Sequence, residues 1–129
     1  MPFQPAIAIF IGAGFGALAR WWLGLVLNSV FPTIPLGTLA ANLIGGFVMG
    51  LLMATFDQFQ AIPPTLRLTL TTGFLGGLTT FSTFSAEAST LLLRQQFGWG
   101  SVLILAHVVG SILCTLAGVG IAGWLLHRH

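Results

Sequence analysis

The chain has 129 residues, of which 56% are hydrophobic and only 5% are charged, and its mean hydropathy is +1.00. Soluble globular domains carry about a quarter charged residues, so this composition excludes that class and indicates an integral membrane protein. The excess of positive charge comes from four arginines against two acidic residues. These charges form no basic patch, so nucleic acid is not an expected partner.

Four apolar stretches follow one another along the chain, at about residues 6–27, 36–56, 66–93 and 99–126. Each is close to the roughly 20 residues that an α-helix needs to cross a bilayer. The connections between them are too short to hold a further domain. We therefore predict an all-α membrane protein, a single domain over residues 1–129 with four transmembrane helices and the lipid bilayer as its surroundings.

The arginines are divided evenly between the two ends of the predicted spans. Arg67 and Arg128 lie on the face that holds both termini, whereas Arg20 and Arg94 lie on the opposite face. Basic residues near short loops set the orientation of a membrane protein, so this balance predicts that the chain inserts both ways. Two opposite copies then pair as an antiparallel homodimer. The alternative is that the amino group and a few flanking residues impose one orientation.

Small residues recur at four-residue spacing in three of the spans, a pattern that indicates close helix packing. The positions are Gly12 and Gly16, then Gly37, Ala41, Gly45, Gly46 and Gly50, then Gly110, Cys114 and Gly118. Four helices make a narrow bundle that cannot both enclose a pore and bury its own polar groups. Association into a dimer is therefore expected.

The third stretch contains the segment Gly73-Phe-Leu-Gly-Gly-Leu-Thr-Thr-Phe-Ser-Thr-Phe84. Gly76 and Gly77 precede residues that are poor helix formers, so we predict that the third helix is broken in the middle of the membrane. One interpretation is a glycine kink that lets two helices cross closely. The concentration of hydroxyls and phenylalanines in the same turns favours the other interpretation, a binding site.

Polar residues inside spans are costly, and they form three short stripes here. Their members are Thr38 and Asn42, then Thr79, Thr83, Glu87 and Thr90 with Ser82, Ser85 and Ser89 beside them, then His107, Ser111 and Thr115. Together the three stripes are able to line one polar path through the membrane. The competing interpretation for any single hydroxyl is that it bonds to its own i−4 carbonyl and only packs.

Two charges lie well inside the predicted spans. Arg20 either extends to the membrane surface or lines a water-filled vestibule that attracts anions. Glu87, if ionised, opposes the passage of anions, so it is expected to be protonated, hydrogen-bonded or near the mouth of a path. No catalytic triad, paired carboxylates, HExxH or CxxC motif is present, and we predict that the protein is not an enzyme.

Three motifs together resemble one known family. Gly16-Ala-Leu-Ala-Arg20, Gly37-Thr-Leu-Ala-Ala-Asn42 and the Gly73 to Phe84 segment are similar to those of the Fluc (CrcB) fluoride channels. The resemblance implies an antiparallel dual-topology homodimer with two pores, which exports fluoride passively across the cytoplasmic (inner) membrane and gives fluoride resistance.

The resemblance also implies roles for individual residues. Phe81 and Phe84 match the phenylalanines whose ring edges line the fluoride path, and Asn42 and Ser111 match its polar ligands. Gly76 and Thr79 match the positions whose backbone carbonyls, from both subunits, hold a structural sodium ion at the dimer interface. Further members of the polar track are implied at Thr38, Ser82, Thr83 and Glu87, with Arg20 in the vestibule.

Two other functions remain open at this point. In a small-cation transporter Glu87 would bind the ion, and in a non-conducting membrane scaffold the polar stripes would serve only as packing surfaces. Fluoride efflux from liposomes distinguishes all three, since a scaffold passes nothing and a cation carrier moves charge of opposite sign.

Overall fold

The structure, a computed structural model, describes residues 3–127; Arg128 of the charge count lies outside this range. Its long helices are α1 (Phe3–Leu27), α2 (Leu36–Gln58) and α6 (Phe97–Leu126). All three are long and apolar enough to cross a membrane. The described residues contain helices and no strands, so the all-helical membrane fold predicted from composition is confirmed.

The remaining apolar stretch is divided into shorter segments. A helical run begins with α3 (Pro64–Leu68), continues through a π-helix (Thr69–Leu75) and ends with α4 (Gly76–Leu78). Three residues that are not helical, 79–81, then separate it from α5 (Ser82–Leu93). Gly76 and Gly77 therefore belong to a helix, and the first extended residue is Thr79, with ψ of 157°.

The helices pack in two pairs. α1 lies along the helical run from α3 to α4, and α2 lies along α6. In the first pair, a side chain at Gly16 would meet the Phe74 carbonyl, and one at Gly77 would meet the Ala13 carbonyl. Here glycine is required because the two backbones are in contact.

In the second pair, too, the two helix backbones are in contact at glycines. Added side chains at Gly46, Gly50 and Gly118 would meet the carbonyls of Ser111, Thr115 and Phe47. At these positions the small-residue rows therefore mark backbone contacts, as the sequence predicts, whereas Gly110 meets only the side chain of Leu43. Gly45 differs, because its nearest neighbour is the Thr79 side chain at the end of α4.

We expect Gly50→Ala to lower the free energy of unfolding by about 1–3 kcal/mol, because its methyl group would have to enter space held by Thr115 and Val119. Thermal unfolding of the purified protein in detergent measures this change. Gly120→Ala is the matched control on α6, where nothing lies within 4 Å of the new methyl. Equal losses in both variants would show that backbone contact is not what requires glycine at position 50.

Most large apolar side chains face outward. Phe10 is 79% exposed on α1 and Leu116 is 61% exposed on α6, as expected for surfaces that contact lipid. All the buried apolar residues of the described chain except Ala122 form two small clusters. One contains Ile34, Phe84, Ala88, Leu91 and Leu103, and the other contains Ala41, Leu75 and Leu78. The non-helical residues 79–81 lie between segments that belong to these two clusters.

Candidate functional site

The side chain of Asn42 holds the peptide groups of Thr80. Asn42 Oδ1 accepts a hydrogen bond from the Thr80 N–H at 2.8 Å, and Asn42 Nδ2 donates to the Thr80 carbonyl at 2.9 Å. A backbone break inside an apolar protein needs such partners, because unpaired amide groups are expensive away from water. Asn42 therefore replaces two hydrogen bonds that a continuous helix would have made.

The other N–H of the Asn42 amide points to His107 on α6. Asn42 Nδ2 lies 2.9 Å from His107 Nδ1, and since the amide nitrogen only donates, Nδ1 accepts and the ring proton is on Nε2. That Nε2 is buried and has no hydrogen-bond partner in the described part of the chain. His107 itself is 3% exposed, and its ring lies 4.6 Å from that of Phe84.

A second long-range bond reaches the end of α4. Arg20 Nε on α1 donates to the carbonyl of Gly77 at 3.1 Å. A guanidinium at a helix C-terminus also offsets the negative end of the helix dipole. Arg20 is thus turned toward the protein, a contact that the sequence did not predict. Its role in a vestibule stays a prediction.

The carbonyls of Gly76 and Thr79 lose their helical donors at the break. In a continuous helix the Gly76 carbonyl would accept from the Thr80 N–H, which donates to Asn42 instead. The Thr79 carbonyl would accept from the Thr83 N–H, which donates to the Thr80 hydroxyl at 3.1 Å. The carbonyls of Gly76 and Thr79 are therefore the ones left without these bonds.

A groove with a volume of about 450 Å³ lies beside the break. Its walls include the predicted site residues Asn42, Gly76, Thr79, Phe81, Phe84 and Ser111, together with Thr80 and His107. Three helices contribute to the groove. Asn42 is on α2, Ser111 is on α6, and the phenylalanines are at the start of α5. Residues from distant parts of the sequence are thus brought to one surface.

The two phenylalanines differ in exposure. Phe84 is 7% exposed, whereas Phe81 is 77% exposed. Their ring centroids are 5.5 Å apart with planes at 74°, an edge-to-face arrangement. The edge of an aromatic ring carries the positive part of its quadrupole, so this pair offers an anion an apolar surface of favourable sign.

Thr38 and Glu87 form a separate polar contact. The Thr38 hydroxyl donates to Glu87 Oε2 at 2.7 Å, and Glu87 Oε1 is buried without a partner among residues 3–127. Thr38 is one turn before Asn42 on α2 and is 5% exposed. Of the three alternatives that the sequence leaves open for Glu87, the structure shows the hydrogen bond.

The remaining predicted site residues lie outside the walls of the groove. Ser82 is exposed, with its hydroxyl 3.5 Å from that of Thr80, and Thr83 contributes the backbone bond described above. Two stripe hydroxyls, those of Thr79 and Thr90, bond to their own i−4 carbonyls, as the packing interpretation states. The Thr115 hydroxyl lies 3.0 Å from its own i−4 carbonyl but 2.8 Å from the Gly46 carbonyl on α2, so it also joins two helices.

Sequence reasoning missed two features of this site. It gave Thr80 no individual role, although three hydrogen bonds converge on that residue. It placed His107 on a polar stripe without a partner. The sequence did contain a signal for this contact. Asn42 lies in the second span and His107 in the fourth, and each needs a hydrogen-bond partner in an apolar setting.

Comparison with known proteins gives consistent matches over nearly the whole chain. Residues 7–119 match the family described as CrcB-like protein, Camphor Resistance (CrcB). A protein of Nitrosospira multiformis named fluoride-specific ion channel FluC is 54% identical over 118 residues, which is 92% of each chain. Proteins of the same name from Pseudomonas paraeruginosa and Burkholderia lata are 54% and 51% identical, covering 95% of this chain and 96% and 97% of theirs.

Proposed function

This chain belongs to the CrcB family, and we propose that it is a fluoride-selective ion channel that exports fluoride passively across the cytoplasmic membrane. The observation that carries this proposal is the 54% identity, over 92% of both chains, to a protein named as a fluoride-specific ion channel. Because the similarity covers 92% of this chain, few residues remain outside it that could carry a different activity. Fluoride is the transported ion, and the protein carries out no enzymatic reaction.

The groove supplies suitable chemistry for a small anion. Phe81 and Phe84 line it in edge-to-face contact with each other, and Ser111 adds a hydroxyl to its walls. A few hydrogen-bond donors on apolar walls can replace part of the water that a small anion loses on entering. Because the donors are few, they do not bind the ion so tightly that it cannot leave. Asn42 makes three hydrogen bonds within the protein, so its role in this proposal is to hold the break and, through it, the phenylalanines.

The groove is closed by a second copy of the chain in this proposal. Phe81 is 77% exposed at the edge of the groove, in a protein with a small core of its own. A partner in the opposite orientation would cover it and complete two pores, with the third span broken near the membrane centre in each copy. The balanced arginines of the sequence support this antiparallel dual-topology homodimer.

A reporter fused to the carboxyl terminus is therefore expected on both sides of the membrane. Adding two or three lysines beside that terminus should shift it to the cytoplasmic side, because basic residues are retained there. Accessibility of the reporter in intact cells measures the distribution. If the unmodified protein has only one orientation, the antiparallel dimer is excluded.

A structural sodium ion at the dimer interface completes the proposal. Gly76 and Thr79 line the open groove, and the N–H groups that would bond their carbonyls in a continuous helix donate to side chains instead. Carbonyl oxygens from two copies form a set of hard ligands that suits a small monovalent cation. Its positive charge would offset dipoles that otherwise repel one another in a medium of low dielectric constant.

We expect dimer stability and fluoride efflux to fall when sodium is exchanged for a large organic cation. Sodium itself should not be transported, because it lies between the pores. Thr79→Ser is the matched control and should behave as wild type, since the Thr79 hydroxyl only bonds the Leu75 carbonyl and serine retains that bond. Dimerisation and efflux that are indifferent to sodium after exhaustive exchange would rule out the ion.

Fluoride efflux from liposomes containing the purified protein tests the proposed function. Efflux that is selective for fluoride over chloride, and that needs a counter-current to balance its charge, is the expected result. A current of opposite sign would indicate a cation transporter, with Glu87 as the ion ligand. No current of either sign would indicate a scaffold.

A further inference from the structure

A second cavity, of about 300 Å³, lies at the far end of α5 from the break. Glu87, Thr90, Leu91 and Arg94 line one side of it. These residues are spaced i, i+3, i+4 and i+7, so they form one face of α5. The other side is the loop before α2, which contributes Thr33. The cavity is thus a polar opening between a helix face and a loop.

Polar groups lead from this cavity to the groove. Glu87 lines the cavity and accepts the bond from Thr38, and Thr38 is one helical turn from Asn42, which lines the groove. Phe84, which lines the groove, and Leu91, which lines the cavity, belong to one apolar cluster. Thr38 and Glu87 are thus polar groups beside that cluster that connect the two spaces.

Arg94 is distinguished from Arg20 and Arg67, the other arginines that the structure describes, by its lack of partners. Arg20 donates to the Gly77 carbonyl, and Arg67 donates to the carbonyls of Ile62 and Phe59. The exposed side chain of Arg94 makes no hydrogen bond or ion pair with any residue of the range 3–127. Its charge is thus available at the opening, two turns from the carboxyl group of Glu87.

We infer that the cavity lined by Arg94 is a mouth of the ion path, at which the guanidinium raises the local concentration of fluoride. This inference rests on the proposed function for the identity of the anion. A positive charge at the rim offsets the repulsion that an acidic side chain at the cavity wall exerts on an approaching anion. A cavity wall of low dielectric constant strengthens that effect compared with open water.

Cysteine modification tests the charge of the mouth without relying on conduction. Thr33→Cys is made in a Cys114→Ala background, and its rates of reaction with an anionic and a cationic methanethiosulfonate are compared. Arg94→Gln should lower the ratio of anionic to cationic rates by about threefold to tenfold at low ionic strength, where the Debye length is about 30 Å. Arg94→Lys should preserve the ratio.

Gln58→Cys, at the carboxyl end of α2, is the positional control, and its ratio should not respond to Arg94→Gln. An unchanged ratio at Thr33→Cys would overturn the inference, and it is the result expected if a lipid phosphate already neutralises Arg94. A change of the same size at both positions would also overturn it, because the effect would then not be local to the mouth.

Fluoride efflux gives the second measurement. At about 10 mM salt, Arg94→Gln and Arg94→Glu should reduce efflux progressively, and at about 1 M of an impermeant salt, where the Debye length is about 3 Å, the difference from wild type should vanish. A loss that persists at high salt would assign Arg94 a structural role instead. If the wild-type protein passes no fluoride, the proposed function fails, while the cysteine rates still decide the charge at the mouth.

Discussion

Replacement of Phe81 or Phe84 by isoleucine is expected to reduce fluoride efflux by about tenfold or more, which corresponds to about 1.4 kcal/mol at the barrier. Isoleucine keeps apolar volume but has no polarised ring edge to face an anion. The two rings are in edge-to-face contact, so each variant also removes the partner that orients the other ring. Efflux from liposomes, normalised to the amount of reconstituted protein, measures the effect.

Phe15→Ile is the matched control for this prediction. Phe15 is 65% exposed on α1 and lies outside the walls of the groove, so the same substitution there should leave efflux unchanged. Loss of efflux in all three variants would point to a general effect on folding. Wild-type efflux in both groove variants would remove the phenylalanines from the ion path.

Asn42→Leu is expected to cause the largest loss of stability among single substitutions at the site, about 2–4 kcal/mol. Leucine has a similar size but leaves both backbone groups of Thr80 and the Nδ1 of His107 without their partner. Each buried polar group left unpaired costs about 1–3 kcal/mol. Thermal unfolding in detergent measures the stability, and efflux should be lost with it.

Two further variants separate the causes of this loss. Ser101→Ala removes an exposed hydroxyl that bonds only its own i−4 carbonyl on α6, and it should be nearly neutral. Asn42→Asp keeps an acceptor for the Thr80 N–H but cannot donate to the Thr80 carbonyl when ionised, so it should also destabilise the protein. If Asn42→Leu unfolds at the wild-type temperature, the break does not depend on this amide.

Much of the fold follows from short-range features of the sequence. Apolar length locates α1, α2 and α6 within a few residues, because a bilayer fixes the number of residues per span. Glycines at four-residue spacing predict the helix faces that make close contacts, as Gly16 and Gly50 do. The sequence did not predict the π-helix at Thr69–Leu75, for which no single residue gives a local signal.

The site is harder to derive because its bonds are long-range. Asn42 and Thr80 are 38 residues apart, and Arg20 and Gly77 are 57 apart. From the sequence we can infer that each polar group in a span needs a hydrogen-bond partner. We cannot infer which residue that partner is. Arg20 illustrates this limit: both sequence hypotheses placed it in water, whereas its Nε bonds a carbonyl at the end of α4.

The backbone contacts between α2 and α6 bear on how the groove discriminates among ions. Gly46, Gly50 and Gly118 place main chain directly against main chain, so a change of side-chain rotamer at these three positions cannot let the helices separate. Asn42 and Ser111, on the two helices, are therefore held at a fixed spacing. In the proposed channel, a stiff wall of this kind would not widen for a larger halide, and selection by size would then be a mechanical property of the helix pair as much as a chemical property of its side chains.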